Sequence, residues 1–441
     1  MAFRVPGFTP LVQYRTDYDP CVSADPRRDC VHRAIQEWPA GAATPGFLLT
    51  LVELDDQGQL FDRGQLDAVL AHIGRVAATQ DFLAVVFVHG WKHNAKEGDD
   101  NLDHFRNVLA RLAATEQALS AAQGVAARKV VGVFLGWRGL SVSAPVAVEL
   151  TFWDRKNTAQ KVGHGGVTEV LSRLEVLRRA STAGKDRSRL VIVGHSFGGA
   201  VVYTALGQIL ESRFLAAGAA AAGPDAQGFG DLVVLVNPAF EALLYSSLSD
   251  ASTARRAYAR SQLPVLAILT SAKDTATGFW FPAGRWFSTW FEQHRNQLRF
   301  NPVTGKREPV SERAADIRAV GHFDPYRTHE LRAAANTSAA QVEERTPAQR
   351  VRSVLGAGAG WEDDAPGSRI GFPGSVLERT ANSAGRNPYL NIRVDGALIP
   401  SHDAIWDPRI ESFLGHLILV SGQSRDLGER GEQRRRALQA S

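Results

Sequence analysis

A serine with a glycine two positions away on each side is the most chemically informative feature of the chain. The pentapeptide Gly194-His195-Ser196-Phe197-Gly198 follows the apolar run 190–193 and precedes the apolar segment 200–206. At a sharp strand-to-helix turn a serine takes a strained backbone conformation, and glycine neighbours avoid collisions there. The helix that follows directs N–H groups and a positive dipole toward a developing oxyanion. The pattern therefore predicts Ser196 as a nucleophile; the alternative is a glycine-rich turn with an incidental serine.

A second element lies upstream, where the apolar run 82–88 ends in His89-Gly90-Trp91. A tetrahedral oxyanion needs two N–H donors. We expect one from the backbone of Phe197 and the other from Trp91. His89 and His93 are four residues apart, but no glutamate lies between them and no third ligand is evident, so we predict no metal site.

On these residues the chain resembles the α/β-hydrolase superfamily, in its serine esterase and lipase branch. The resemblance covers residues 46–274 and 386–420, and it depends on His89-Gly90, on residues 194–199 and on the order of elements. It implies a triad in the chain order serine, acid, histidine, with no metal or organic cofactor. The acid follows a later strand, and the histidine lies in a loop after the last strand.

Asp274 is the predicted acid, because it follows the apolar run that begins at Val265. Its role is to hold the histidine's tautomer and to stabilise the imidazolium. Asn237 and Glu241, after the preceding strand, are the fallback positions. The alternative for Asp274 is an ordinary turn or helix-cap residue.

His402 is the predicted base, in a loop directly before an apolar segment that is typical of a closing helix. A neutral imidazole can take the serine proton and return it to the leaving alcohol. The rival is His322, in Val320-Gly-His322-Phe-Asp. His322 lies in an irregular part of the sequence, where a structural histidine is the commoner explanation.

Large aromatic side chains indicate where a substrate would bind. Trp137 ends a buried strand, and seven large aromatics fall within 13 positions after Asp274. These aromatics form a small apolar core under a lid, line an acyl or aryl pocket, or do both. The predicted substrate-binding residues are Trp137, Phe279, Trp280, Phe281 and Trp286.

Runs typical of strands, among them 47–54, 82–88 and 232–236, alternate with helical periodicity over about 220 residues. This alternation predicts an α/β fold with a mainly parallel sheet and helices on both faces. We expect a closing helix over 410–420 and read Gly356–Gly360 as a flexible linker. The predicted organisation is an N-terminal arm (1–45), a core (46–274), a lid or insert (275–385), the last strand and helix (386–420) and a disordered tail (421–441).

Composition excludes some classes of protein. A net charge of +4 over 441 residues, with 22% charged residues, argues little for nucleic acid. No run approaches the roughly 18 apolar residues of a membrane span. No signal peptide is visible, but Met1 is the only methionine, so a trimmed export signal stays open and the compartment is either the cytoplasm or the cell envelope. Cys21 and Cys30 are either free thiols or a local disulfide.

Together these residues predict a serine hydrolase that cleaves a small-molecule or lipid ester through an acyl-enzyme. Thioesterases, amidases and acyltransferases use the same groups, because all of them form tetrahedral intermediates. A non-catalytic scaffold that binds a protein or lipid is the alternative from another class. Acyl length, alcohol moiety and oligomeric state are not determined by the sequence.

Overall fold

The structure is a computed structural model, and its contacts divide the chain into two compact units. The first comprises Met1–Ala114 and Arg128–Leu206, and the second comprises Thr115–Ala127 and Gly207–Ser441. The residues that the structure describes are 12–41, 45–55, 57–91, 93–137, 162–180, 187–218, 223–282, 285, 293–364 and 368–440.

The first unit is built on a mainly parallel sheet. Its strands are β1 (Cys21–Val22), β2 (Ile35–Trp38), β3 (Phe47–Leu54), β4 (Phe82–Val88), β5 (Lys129–Trp137) and β6 (Arg189–His195). Strands β3, β5, β4 and β6 pair in that order and are all parallel, while β2 pairs antiparallel with β3 and β1 pairs parallel with β2. Every residue of β3, β4 and β6 is buried, which is why these strands are mainly apolar rather than alternating.

The helices that begin in this unit follow the predicted 3.6-residue periodicity. In one of them the side chain of Asp62 accepts a hydrogen bond from the N–H of Gly64 as its N-cap, and the stripe of Leu66, Val69 and Ile73 is buried. The helices are α1 (Pro26–Asp29), α2 (Arg63–Thr79), α3 (Asp100–Gln123), α4 (Gly166–Ala180) and α5 (Phe197–Ala216).

The second unit also has a mainly parallel sheet, with a separate hairpin. Its strands are β7 (Leu232–Val236), β8 (Leu266–Ser271), β9 (Asn296–Asn301), β10 (Lys306–Ser311), β11 (His329–Ala333), β12 (Arg369–Phe372), β13 (Ser375–Arg379) and β14 (Tyr389–Val394). Strands β7, β8, β14 and β11 are parallel neighbours in that order, and β13 and β12 continue antiparallel beyond β11. Strands β9 and β10 pair only with each other among the described residues.

Short helical segments connect these strands. A π-helical turn, Ala276–Trp280, follows β8, and two 3-10 turns, Val320–His322 and Asp324–Tyr326, precede β11. The α-helices are α6 (Ser246–Ala254), α7 (Glu312–Ile317), α8 (Ala339–Glu343), α9 (Pro347–Glu362), α10 (Pro408–Ser421) and α11 (Leu427–Ala440).

The stretch 275–385 is more regular than its sequence predicts. It contributes β11, β12 and β13 to the sheet, and β11 pairs directly with β14. These strands are only four or five residues long, and nine of their 14 positions are partly or fully exposed. Such short runs with charged positions carry no sustained apolar period, so the sequence pattern does not reveal them.

Two local interpretations are wrong. The glycine-rich run at 356–360 lies inside α9, which begins with a capping box at Thr346 and has Pro347 at its first turn. Residues 427–440 form α11 rather than a disordered tail. Arg434 in that helix pairs with the buried Glu362 of α9 at 2.9 Å, so a tertiary contact holds the helix.

The described part of the predicted N-terminal arm is held against the first unit. A disulfide joins Cys21 to Cys30, which decides between the two explanations that the sequence left open. Arg15 is fully buried and pairs with Glu97 at 3.0 Å.

Both units confirm the predicted α/β class with mainly parallel strands. The strands predicted at 47–54, 82–88 and 232–236 have the predicted bounds, and the predicted helix 410–420 is α10 with bounds within two residues. Within the described residues, no helix combines the length and the apolar character that a membrane crossing requires.

Candidate active site

Ser196 occupies the turn between β6 and α5, and its backbone is in the left-handed region. Its φ is +56°, one of three positive φ values among the described non-glycine residues. The Ser196 carbonyl accepts the hydrogen bond of the Ala200 N–H at 3.2 Å, so the serine stands directly at the N-terminus of α5. A non-glycine residue at such a φ is strained, and strain of this kind is concentrated at functional sites.

The glycines around Ser196 are required by close approach of backbone atoms. A Cβ placed on Gly198 would lie 2.1 Å from the carbonyl oxygen of Val88, and one on Gly194 would lie 2.7 Å from the carbonyl oxygen of Gly198. A Cβ on Gly90 would lie 2.9 Å from the Cβ of Ser196. The end of β4 therefore lies against the serine turn, at the place where the sequence predicts the oxyanion donors.

His89 has a structural role in this turn. Its Nδ1 donates to the carbonyl of Gly90 at 2.8 Å, and its Nε2 accepts from the N–H of Trp137 at 3.1 Å. Burial lowers the pKa of His89 to about 4, although Asp99 and the two backbone bonds oppose the shift. Both nitrogens are thus engaged by a neutral ring, so His89 is not placed to pair with His93 on a metal.

The predicted substrate residue Trp137 packs on His89. The two rings stack with centroids 5.7 Å apart, and the indole N–H donates to the carbonyl of His89 at 2.9 Å. Trp137 is only 1% exposed. The indole therefore fixes the strand end that carries Gly90 and Trp91.

In the second unit Asp274 and His402 form a hydrogen-bonded pair. Nδ1 of His402 lies 2.9 Å from Oδ1 of Asp274. Because a carboxylate only accepts, Nδ1 carries the proton and Nε2 of the neutral ring is the basic nitrogen. The loop after β8 supplies the acid and the loop after β14 supplies the histidine, as the resemblance implies.

The Asp274 carboxylate is buried and held ionised. Burial alone would raise its pKa, but the hydrogen bond and charge of His402, together with two hydrogen bonds from Thr277, lower the pKa below the ordinary aspartate value. Those two bonds come from the backbone N–H of Thr277 to Oδ1, at 3.1 Å, and from its hydroxyl to Oδ2. With three donors around it, the carboxylate has one orientation.

The two fallback positions for the acid have other partners. The side-chain amide of Asn237 donates to the carbonyl of His402 at 2.8 Å and accepts from the N–H of Ser271 at 2.9 Å. Glu241 pairs with Arg285 at 3.1 Å. Asp274 is thus the acidic side chain that contacts His402 among these three positions.

The rival histidine lies close to the same acid. Nε2 of His322 is 3.0 Å from the hydroxyl oxygen of Thr277, which in turn bonds Asp274. The ring of His322 also lies against Gly278, where a Cβ would come within 3.2 Å of its Cε1. His322 therefore reaches Asp274 through one intervening hydroxyl, whereas His402 contacts it directly.

The predicted aromatic cluster divides into different environments. Phe279 is 63% exposed on the π-helical turn after Asp274, whereas Phe281 is fully buried. The side chain of Trp280 and the whole of Trp286 lie outside the described residues.

Sequence reasoning missed Thr277 and gave Asn237 another role. Asp274 and Thr277 are three residues apart, which is the spacing of a side chain that caps its own turn, and this signal could have identified Thr277. Nothing local to Asn237 indicates its contact with His402, because the two residues are 165 positions apart in the chain.

Comparison with known proteins adds little to this geometry. No family model matches the chain, and no curated protein matches it. Among solved structures it is similar to Trichoderma reesei cutinase in complex with a C11Y4 phosphonate inhibitor, with 15% identity and a TM-score of 0.17. The similarity covers 40% of this chain and 62% of the cutinase chain, so less than two thirds of the cutinase is represented. A TM-score this low carries no argument about function.

Proposed function

We propose that the chain is a serine hydrolase of the α/β-hydrolase superfamily that cleaves carboxylic esters through an acyl-enzyme. The observation that carries the proposal is the backbone of Ser196, with φ of +56° at the junction of β6 and α5. Backbone strain of this kind persists only where the surroundings enforce it, and here Gly194 and Gly198 lie in close backbone contact. An incidental serine would have no reason to occupy that position.

The proposed reaction starts with attack of the Ser196 hydroxyl oxygen on the ester carbonyl carbon. Nε2 of His402 takes the hydroxyl proton as the new C–O bond forms, and the carbonyl oxygen becomes an oxyanion. The backbone N–H groups of Phe197 and Trp91 stabilise that oxyanion. The bond to the leaving alkoxide then breaks, and His402 returns the proton to it, which releases the alcohol.

Water completes the cycle by the same route. His402 takes a proton from water as its oxygen attacks the acyl carbon, and the proton passes back to Ser196 when the acid leaves. Asp274 keeps Nδ1 of His402 protonated and stabilises the imidazolium that forms in each half. The 2.9 Å bond between Asp274 and His402, and the lowered pKa of the carboxyl, support this role.

We propose that the exposed aromatic surface after Asp274 contacts the acyl or alcohol group, whereas the buried Trp137 and Phe281 support the fold instead of contacting substrate. Among the described side chains of this cluster Phe279 is the most exposed, at 63% of the residue, and it lies five positions after the acid. An apolar ring near a catalytic group favours a substrate with an apolar moiety, such as an aliphatic or aryl ester.

Labelling with a fluorophosphonate tests the proposal directly, because this reagent phosphonylates an activated serine. We expect stoichiometric labelling of the parent protein, with Ser196 as the modified residue by peptide mass spectrometry. Ser196→Ala should lose both labelling and hydrolysis of a p-nitrophenyl ester while keeping the thermal unfolding midpoint near that of the parent.

Ser188→Ala is the matched control, since Ser188 precedes β6 at the opposite end of the strand and bonds the N–H of Phe82 at 3.2 Å. This variant should label and turn over like the parent. Equal turnover by Ser196→Ala and the parent would refute the assignment. A parallel panel of an ester, a thioester, an amide and an acceptor alcohol, with esters of increasing chain length, then separates the reactions that share this machinery.

A further inference from the structure

We propose that His322 is a positioning residue for the acid of the triad, acting through the hydroxyl of Thr277. This inference rests on the proposed function, because it concerns the same carboxylate. Four side chains form one hydrogen-bonded chain within the second unit: His322, Thr277, Asp274 and His402. The carboxylate is thereby held at one oxygen by the base and at the other by a hydroxyl that a second imidazole orients.

The directions of the hydrogen bonds follow from the donors available. Thr277 has one hydroxyl proton, and the ionised Asp274 can only accept, so Thr277 donates to Oδ2. The hydroxyl oxygen is then the acceptor for Nε2–H of His322 at 3.0 Å. A hydroxyl that accepts one hydrogen bond becomes a better donor in the next. His322 therefore strengthens the bond that orients Asp274.

The fold holds His322 against this chain from several sides. In the turn that carries it, the N–H of Val320 donates to the carbonyl of Phe240 at 3.0 Å, and the Val320 carbonyl accepts from the side-chain amide of Asn391 at 3.2 Å. Gly321 lies so close to Thr270 that a Cβ there would fall 1.7 Å from the Thr270 hydroxyl. Strands β8 and β14 thus fix the turn, and the ring position follows from them.

Several charged groups act on His322. Burial lowers its pKa, Asp274 and Asp324 raise it, and Arg393 and His402 lower it. The balance favours a neutral ring, and the Nε2–H tautomer of that ring is the one that the bond to Thr277 requires. A neutral donor at this position leaves the imidazolium of His402 as the cation that the Asp274 carboxylate stabilises during the reaction.

Two matched pairs of variants test the role from both ends of the contact. His322→Phe keeps a ring against Gly278 without a donor, whereas the side-chain amide of His322→Gln can replace Nε2–H. Thr277→Val keeps the shape without the hydroxyl, whereas Thr277→Ser restores the hydroxyl. We expect His322→Phe and Thr277→Val to lower kcat roughly three- to tenfold at unchanged KM, and both conservative variants to stay within about twofold of the parent.

The pH profile gives a readout that a purely structural residue would not move. Thr277→Val removes the hydroxyl that donates to the Asp274 carboxylate, and the carboxylate becomes more basic. The His402 imidazolium is then stabilised, so we expect the acid limb of kcat/KM to move to higher pH in this variant. Nitrogen-15 NMR of labelled histidines reports on the contact without turnover. The parent should show His322 as the Nε2–H tautomer, and Thr277→Val should shift that resonance.

The outcomes separate this inference from the proposed function. If the parent labels at Ser196 but His322→Phe keeps the kcat and acid limb of the parent, the positioning role is wrong and the triad stands. If the parent does not label at all, the nucleophile assignment fails and the positioning role fails with it. Loss of activity in His322→Ala with full activity in His402→Ala would overturn the inference in a third way, because His322 would then be the base itself.

Discussion

The side-chain amide of Asn237 donates a hydrogen bond to the backbone carbonyl of His402, 2.8 Å away. Asn237 directly follows β7, has a φ of +45° and is fully buried. The loop after one strand is thereby tied to the loop that carries the proposed base. As with Ser196, the strained backbone lies beside a group that the proposed chemistry uses, which is where strain is expected.

Replacement of Asn237 should lower turnover through His402. Asn237→Gly accepts the positive φ but removes the amide, so we expect kcat to fall about tenfold with little change in KM. Asn237→Ala also removes the amide and adds backbone strain of about 1 kcal/mol, which should appear in the free energy of unfolding. Steady-state kinetics and urea unfolding of both variants check this. A normal kcat in Asn237→Gly would contradict the role of the amide.

Loss of the charge on Asp274 should be far more damaging than loss of a neighbouring charge. Asp274→Asn keeps the shape of the side chain but no longer favours Nδ1–H of His402, and we expect kcat to fall about 10³- to 10⁴-fold. The control is Asp403→Asn, because Asp403 is exposed and has a carboxylate oxygen within 4.8 Å of a ring nitrogen of His402, so it tests whether any nearby negative charge suffices. Its kcat should stay within about twofold of the parent. Comparable losses in the two variants would argue against Asp274 as the acid.

Two glycine substitutions should have opposite effects on stability. Gly198→Ala places a methyl group 2.1 Å from the carbonyl of Val88, and we expect it to destabilise the fold by about 3 kcal/mol or more. Gly356→Ala lies on an exposed position of α9 with nothing within 4 Å of the new Cβ. Because alanine favours helix, it should stabilise by about 0.5–1 kcal/mol. Destabilisation by Gly356→Ala would instead support the interpretation of residues 356–360 as a flexible linker.

Three buried histidines should make the fold sensitive to mild acid. Burial lowers the pKa values of His89, His329 and His416 to about 4, 3 and 4, from an ordinary value of 6.5. Between those values the unfolded chain binds more protons than the folded one, so the free energy of unfolding falls as pH falls. The stability that these histidines contribute is complete above pH 6.5, and it is lost as the pH falls toward and through their pKa values in the folded state.

Urea unfolding at about pH 7.5 and about pH 5 measures this dependence. The decrease should be smaller in His329→Gln, which removes one of the buried groups. The matched control is His164→Gln, because His164 is exposed and its removal should leave the decrease as it is in the parent. Identical pH dependence in all three proteins would show that the buried ring of His329 does not control it.

Replacement of Phe279 should affect substrate binding, whereas replacement of Trp137 should affect the stability of the fold. Because Phe279 is 63% exposed, Phe279→Ala should raise KM for long-chain esters more than for short ones and leave the unfolding midpoint unchanged. Trp137 is buried on His89 and donates to its carbonyl, so Trp137→Phe should lower the unfolding midpoint. A chain-length series of p-nitrophenyl esters with thermal unfolding checks both. Equal effects of Phe279→Ala on all chain lengths would exclude an acyl contact.

Much of the fold could be predicted because a strand that is buried on both faces has a mainly apolar sequence, which can be identified without coordinates. Strands β4 and β7 are uninterrupted apolar runs and β3 is mainly apolar, and the predicted bounds agree with the observed ones. The short strands β11 to β13 have mixed burial and gave no such trace. In the same way, the glycines of α9 suggested a break, although its capping box and buried Val354 and Leu355 stabilise a helix.

The sequence alone determined the local chemistry around Ser196. The glycine spacing around Ser196 is a local requirement, since those neighbours collide with nearby backbone if they carry a Cβ, and it can be identified without coordinates. Only the tertiary structure decided which side chains accompany Asp274. His402 is 128 positions away and His322 is two hydrogen bonds away through Thr277, because the pairing of β8 with β14 brings loops together that no short-range pattern connects.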